Sequence, residues 1–199
     1  VFGGPDATNL NSRLLTNRSF IDYVVAGDGE DSIWRLALHY PPDSIPNLWY
    51  RSDTGIQLSY IHESSLDDIE PFDFRHVADI DLESYDSRRS DYAYNPKLLP
   101  ISVAWTRGCP RAEAKQRCAY CSIPGTKVRS ASAEHAWAQV EHLRQTHGIT
   151  AFFEGGDDFA SSSFAEDLLD SPSRIPSINL RSYAGLWQLT NKKIVTLKE

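Results

Sequence analysis

The sequence predicts an α/β chain assembled in two runs. Short β-rich segments alternate with amphipathic ones near both ends, glycine-rich turns follow the strands, and a proline-broken stretch separates the two runs. A strand–helix–strand–helix order implies parallel sheet with right-handed crossovers. The expected organisation is an α/β segment over 1–40, a connector with a hairpin over 41–97, and a second α/β segment over 98–199.

Composition sets the outer bounds. A chain of 199 residues with 41% hydrophobic and 24% charged residues can bury a core and is ordinary for a globular protein. A net charge of −7 argues against a general nucleic-acid binder. No apolar run approaches the length of a membrane span, so no membrane partner is expected. The chain has no methionine and begins at Val1, so it is expected to be truncated at both ends and to lack some positions.

Val1-Phe2-Gly3-Gly4-Pro5 reads as a strand end running into a glycine turn. Asn9 to Asn17 is a helix candidate with Leu10, Leu14 and Leu15 on one side. Phe20 to Ala26 is a β-rich run of the kind buried on both faces, ending in Gly27-Asp28-Gly29-Glu30-Asp31. The helix after it has acidic residues in its first turn, where they complement the helix dipole, and an expected apolar side of Ile33, Trp34, Leu36 and Ala37. Trp34, Trp49 and Trp105 are expected in the core.

Pro41, Pro42, Pro46, Pro71 and Pro96 interrupt regular structure through the connector. Within it, Leu48–Arg51 and Ile56–Tyr60 flank Ser52-Asp53-Thr54-Gly55, a hairpin signal. Leu66–Pro71 reads as an acidic turn or short helix, and Arg88-Arg89 as solvated surface.

The second run opens with a strand over Leu99–Trp105. A helix follows with Ser132 as N-cap, Gly148 past its end, and a stripe of Trp137, Val140 and Leu143. Ile149–Glu154 is the next strand and ends in Gly155-Gly156-Asp157-Asp158-Phe159. A helix with Phe164, Leu168 and Leu169 precedes a third strand over Ser177–Tyr183, and 191–199 reads as a further helix. Three β/α units in succession point to part of a β/α barrel, whose chemistry lies at the C-terminal ends of its strands.

All three cysteines of the chain, Cys109, Cys118 and Cys121, fall in the loop after the first of those strands. Three thiols cannot pair completely, and the chain has no secretory h-region, which argues against a disulfide framework. A structural zinc site needs a fourth ligand, and no His lies between Arg107 and Ser130. Three unrelated core thiols are a further alternative. Three thiolates can instead hold a [4Fe–4S] cluster by three irons and leave the fourth open to a substrate or cofactor.

Arg107-Gly-Cys-Pro with Cys118-Ala-Tyr-Cys121-Ser-Ile-Pro resembles the cluster loop of radical S-adenosylmethionine enzymes. Tyr120 matches the aromatic residue before that family's last cysteine, and the position after a first barrel strand also matches. The family's usual spacing is C-x3-C-x2-C, whereas this chain has C-x8-C-x2-C, with Arg111, Lys115 and Arg117 in the longer gap. The resemblance implies that Cys109, Cys118 and Cys121 ligate the cluster. It also implies that Gly155, Gly156 and Asp157 receive the amino group of S-adenosylmethionine.

The N-terminal segment is similar to the end of the cobalamin-binding domain found ahead of the radical core in one branch of that family. The likeness rests on Gly3, Gly4, Asp22–Val25 and Gly27–Asp31. It implies that Gly3 and Gly4 make room for the nucleotide tail of cobalamin. The full expectation is a Rossmann-like cobalamin-binding end followed by part of a radical core. In such an enzyme, reductive cleavage of S-adenosylmethionine begins radical chemistry on an unknown substrate, with methyl transfer as the reaction if cobalamin is bound. It also implies an electron donor such as flavodoxin or ferredoxin and a cytoplasmic location, where thiols stay reduced. The other readings are a zinc-stabilised α/β binding module, an RNA methylthiotransferase (whose three further N-terminal cysteines are absent here), and a relative that has lost its cluster.

Overall fold

The computed structural model of the chain describes residues 1–70, 100–114, 116, 118–123, 127–160, 163–185 and 188–190. Pro71, Pro96, Arg88-Arg89 and the helix expected over 191–199 lie outside them. The chain divides into two compact units, Val1–Ser64 with Gln116–Pro124, and Ser65–Lys115 with Gly125–Glu199.

The first unit is a small mixed sheet with helices. Strand β1 (Tyr23–Val25) pairs antiparallel with β2 (Leu48–Ser52), which pairs antiparallel with β3 (Gly55–Leu58). The parallel component is the bridge of Phe2 to Val24, with Phe2 N donating to Tyr23 O at 2.9 Å and Val25 N to Phe2 O at 2.8 Å. The expected hairpin therefore forms and continues the sheet of the first α/β segment. The strand expected from Phe20 is shorter, because Ile21 N turns back to Arg18 O and leaves Phe20 78% exposed.

The helix expected over 9–17 is two helices, α1 (Pro5–Leu10) and α2 (Ser12–Asn17). The break falls at Asn11, whose φ of 41° lies where asparagine is tolerated, and whose side chain accepts from Ser12 N at 2.7 Å. Leu15 is buried while Leu10 is exposed. Helix α3 (Glu30–Ala37) begins in the expected place, but only part of its expected apolar side faces inward. Ser32 is its buried residue and donates Oγ to Pro46 O at 2.7 Å, so Ile33 and Trp34 point outward. Trp34 is not a core residue: it is 55% exposed and sits against Tyr40 with ring centroids 6.0 Å apart. Of the expected apolar side, Leu36, one turn from Ser32, is the residue that packs inward, against the cluster of Val25, Ile45 and Leu48. Trp49 is half-buried against the Val24 cluster, and Trp105 is buried in the second unit.

The second unit is built on a parallel three-stranded sheet. Strand β4 (Pro100–Val103) pairs with β7 (Ala151–Glu154), which pairs with β8 (Asn179–Ser182). A two-stranded antiparallel ribbon of β5 (Thr106–Arg107) and β6 (Arg129–Ser130) closes the base of the cysteine loop, which carries the four-residue helix α4 (Pro110–Glu113). Helix α5 (Ala133–His147) follows the expected limits: Ser132 Oγ accepts from His135 N at 3.1 Å, and Gly148 leaves the helix at φ 68°. It buries Trp137, Val140 and Leu143 against Phe152, Phe164 and Leu168, the last two from α6 (Phe164–Asp170). The acidic turn forms as a single 3₁₀ turn over Leu66–Asp68, and Asp67 Oδ1 accepts from Ser132 N at 2.7 Å.

Candidate functional site

In a parallel sheet the turns at the C-terminal strand ends converge on one edge. In the second unit three such turns are joined by hydrogen bonds. Gly155 N donates to Val103 O at 2.9 Å, tying the end of β7 to the end of β4. Phe159 N donates to Tyr183 O at 2.9 Å and Gly185 N to Asp158 Oδ1 at 3.1 Å, tying the same turn to the end of β8. Gly108 N donates to Asp157 Oδ2 at 2.8 Å, tying it to the cysteine loop one residue before Cys109.

The neck of that loop is narrow. A Cβ on Gly108 would lie 2.8 Å from Lys127 O, and Gly108 has φ +88°. Glycine is required there both by its left-handed backbone and by the close approach of the returning chain. Cys109 O accepts from Glu113 N at 2.9 Å and so starts α4, and Glu113 Oε2 accepts from Val128 N at 3.3 Å. Cys109 belongs to the second unit, while the segment with Cys118 and Cys121 groups with the first, where Asn9 Nδ2 donates to Ser122 O at 2.7 Å. Cys121 N donates to Cys118 O at 3.0 Å in a tight turn, and Tyr120 within it is 92% exposed. All three thiols are free and half-buried. Among the described residues no group of three or more His, Cys, Asp or Glu is gathered as a metal site. None of the three sulfurs is used in a disulfide, and sulfur is the donor type that an iron–sulfur cluster takes from a protein.

The two glycines of the turn differ. A Cβ on Gly155 would meet only ordinary contacts, 3.6 Å from Val103 O, whereas one on Gly156 would lie 2.0 Å from Thr106 Oγ1 and 2.5 Å from Thr106 O. Gly156 is thus needed for packing, and Gly155 leaves an exposed edge beside Asp157.

Glu154 is a residue that sequence reasoning passed over. It is fully buried at the end of β7, and its Oε1 accepts from Trp105 N (3.2 Å), Thr106 N (3.1 Å), Thr106 Oγ1 (3.1 Å) and Gly156 N (3.1 Å). Its Oε2 is buried with no hydrogen-bond partner. The available signal was a carboxylate closing the otherwise apolar strand Ala151–Phe153. Burial pushes the Glu154 carboxyl above its ordinary value of 4.5, outweighing the four hydrogen bonds that pull it down. A raised folded value means that the contribution of this group to stability is complete below 4.5 and is lost as pH rises through the raised value. Denaturant titrations of the wild type and Glu154→Gln across that range should show the wild type losing stability relative to the variant as pH rises. A pH-independent difference would contradict this.

In the first unit, Gly3 and Gly4 lie between the Phe2 bridge and α1, at the C-terminal end of the two parallel segments. Thr8 Oγ1 donates to Gly4 O at 3.0 Å and accepts from Gly27 N at 2.8 Å, so it bridges the two glycine turns. Gly4 and Gly27 have φ of +94° and +95°, and a Cβ on either would meet nothing within 4 Å. Both are exposed, and a Cβ on Gly3, the other glycine expected at this edge, would lie 3.9 Å from Val25 O. Arg181, on the third strand, is exposed and places its guanidinium 5.5 Å from the centre of the Phe153 ring.

No family model matches the chain. It is 24% identical over 163 residues to the anaerobic magnesium-protoporphyrin IX monomethyl ester cyclase of Synechocystis sp. (strain ATCC 27184 / PCC 6803 / Kazusa), covering 76% of this chain and 29% of that protein. The apo structure of the cobalamin-dependent S-adenosylmethionine radical enzyme OxsB matches with a TM-score of 0.57 and 14% identity, over 92% of this chain and 26% of that one. The radical S-adenosylmethionine methyltransferase TsrM from Kitasatospora setae matches with a TM-score of 0.54 and 21% identity, over 84% of this chain and 31% of that one. The chain therefore spans less than a third of the length of each of these proteins.

Proposed function

We propose that this chain, which has the fold of the cobalamin-dependent radical S-adenosylmethionine enzymes, is the cofactor-binding portion of such an enzyme. The observation that carries the reading is the bond of Asp157 to Gly108, which joins a Gly-Gly-Asp turn at the end of a parallel sheet to the residue before Cys109.

In this reading Cys109, Cys118 and Cys121 are the thiolate ligands of a [4Fe–4S] cluster with one open iron. Gly155 and Gly156 supply backbone carbonyls, and Asp157 a carboxylate, for the ammonium group of S-adenosylmethionine. Gly3 and Gly4 border the place for a cobalamin tail. Held by these cysteines, the cluster would supply one-electron reductive cleavage of S-adenosylmethionine. The protein's own part is to bind, to orient and to exclude water. The substrate reaction is methyl transfer if cobalamin is present, with an electron donor such as flavodoxin or ferredoxin. A cytoplasmic location keeps the thiols reduced. No helix among the described residues is long and apolar enough to cross a membrane.

The test is anaerobic reconstitution with iron and sulfide, then EPR of the dithionite-reduced protein with and without S-adenosylmethionine. The expected result is a reduced [4Fe–4S] signal that changes when S-adenosylmethionine is added. Stoichiometric zinc without a cluster would replace this reading with that of a zinc-stabilised binding module.

A further inference from the structure

We infer that Glu154 and Asp157 are positioning residues for Cys109, acting as a pair of acceptors that brace the backbone leading into it. The inference rests on the reading of Cys109 as a cluster ligand. Where the chain leaves β4 and turns toward the cysteine loop, its N–H groups need new acceptors. Those of Trp105 and Thr106 find Glu154 Oε1, at 3.2 and 3.1 Å, and that of Gly108 finds Asp157 Oδ2 at 2.8 Å. The Thr106 hydroxyl and Gly156 N–H converge on the same Glu154 oxygen, each at 3.1 Å. One carboxylate thus fixes the start of the loop against the glycine turn, and the second fixes the residue next to Cys109.

Several features show a built brace rather than incidental contacts. Glu154 is fully buried, and a buried carboxylate at the end of a strand is costly unless its bonds are needed. The fit is closed by Gly156, where a Cβ would lie 2.6 Å from Glu154 Oε1. On its far side Cys109 is held by its own carbonyl, which accepts from Glu113 N at 2.9 Å. Orientation of a metal ligand by the hydrogen bonds behind it governs how well that ligand is presented. Asp157 therefore has separable duties: Oδ2 acts as an acceptor for the loop, and the carboxylate charge serves the cofactor.

Amide variants separate these duties, because Asn and Gln keep the acceptor oxygen and lose the charge. In the protein without cluster, hydrogen exchange at the Gly108 amide should speed up about tenfold or more in Asp157→Ala and stay near wild type in Asp157→Asn. After reconstitution, read without S-adenosylmethionine, the reduced-cluster EPR signal should broaden or shift in Asp157→Ala and match wild type in Asp157→Asn. Glu154→Gln against Glu154→Ala should repeat this pattern at the Thr106 amide. Should Glu154→Ala fail to fold, the Asp157 pair decides, because Asp157 is exposed and its loss leaves the core intact. Unchanged Gly108 exchange in Asp157→Ala, or an Asp157→Asn variant as impaired as Asp157→Ala, would overturn the inference. If the wild type assembles no cluster, the functional reading fails, while the exchange data still report on the brace.

Discussion

Replacing Gly156 with alanine is expected to destabilise the second unit by at least about 3 kcal/mol, the upper end of what overpacking usually costs. The new Cβ would stand 2.0 Å from Thr106 Oγ1, 2.5 Å from Thr106 O and 2.6 Å from Glu154 Oε1. A hydroxyl can rotate away, but the Thr106 carbonyl belongs to the ribbon that pairs with Ser130, so the backbone itself must shift. That shift would strip Glu154 of the donors that make its burial tolerable. Gly155→Ala is the matched control. It adds the same methyl group one residue away, meets ordinary contacts starting at 3.6 Å, and should fold like wild type. Denaturant unfolding of the two variants beside wild type is the measurement. Equal stability of the two would mean that the packing at Gly156 is looser than the structure shows.

The second large effect is chemical. Changing Cys109, Cys118 or Cys121 singly to alanine should lower iron after anaerobic reconstitution from about four per chain to near zero. The same variants should lose the EPR response to S-adenosylmethionine. Global stability should barely change, because all three side chains are only half-buried and none takes part in a disulfide. Ser122→Ala, beside the last cysteine, is the control and should keep its iron. Full iron content in any one cysteine variant would remove that residue from the ligand set. The three variants also test the long C-x8-C gap, since a chain using only the Cys118–Cys121 pair would be indifferent to Cys109.

Much of the second unit was legible in the sequence because its signals are local. Ser132 and Gly148 delimit α5 through their own backbone preferences, and Trp137, Val140 and Leu143 recur at the helical period on its buried face. The alternation of strands and helices from 98 onward specified a parallel sheet, and the structure orders it β4-β7-β8. The first unit was less legible. Its elements are short, and burial there is decided by a few polar groups. Ser32 is the buried residue of α3, Asn11 split the helix expected over 9–17, and the hairpin entered the sheet beside β1.

For the candidate site, the sequence by itself determined the residue types and their order: three thiols after one strand, paired glycines and an acid after the next, and paired glycines near the start. These are legible because a soft-metal donor set and a glycine turn are defined by composition over a few positions. Only the tertiary structure decided what each residue does for its neighbours. That Gly156 rather than Gly155 is sterically required, that Glu154 is buried against Thr106, and that Asp157 reaches Gly108 are contacts between residues about fifty positions apart. Local propensity carries no information about such contacts. They follow from the parallel pairing of β4 with β7, which brings the two strand ends to one edge and leaves their backbone N–H groups in need of acceptors.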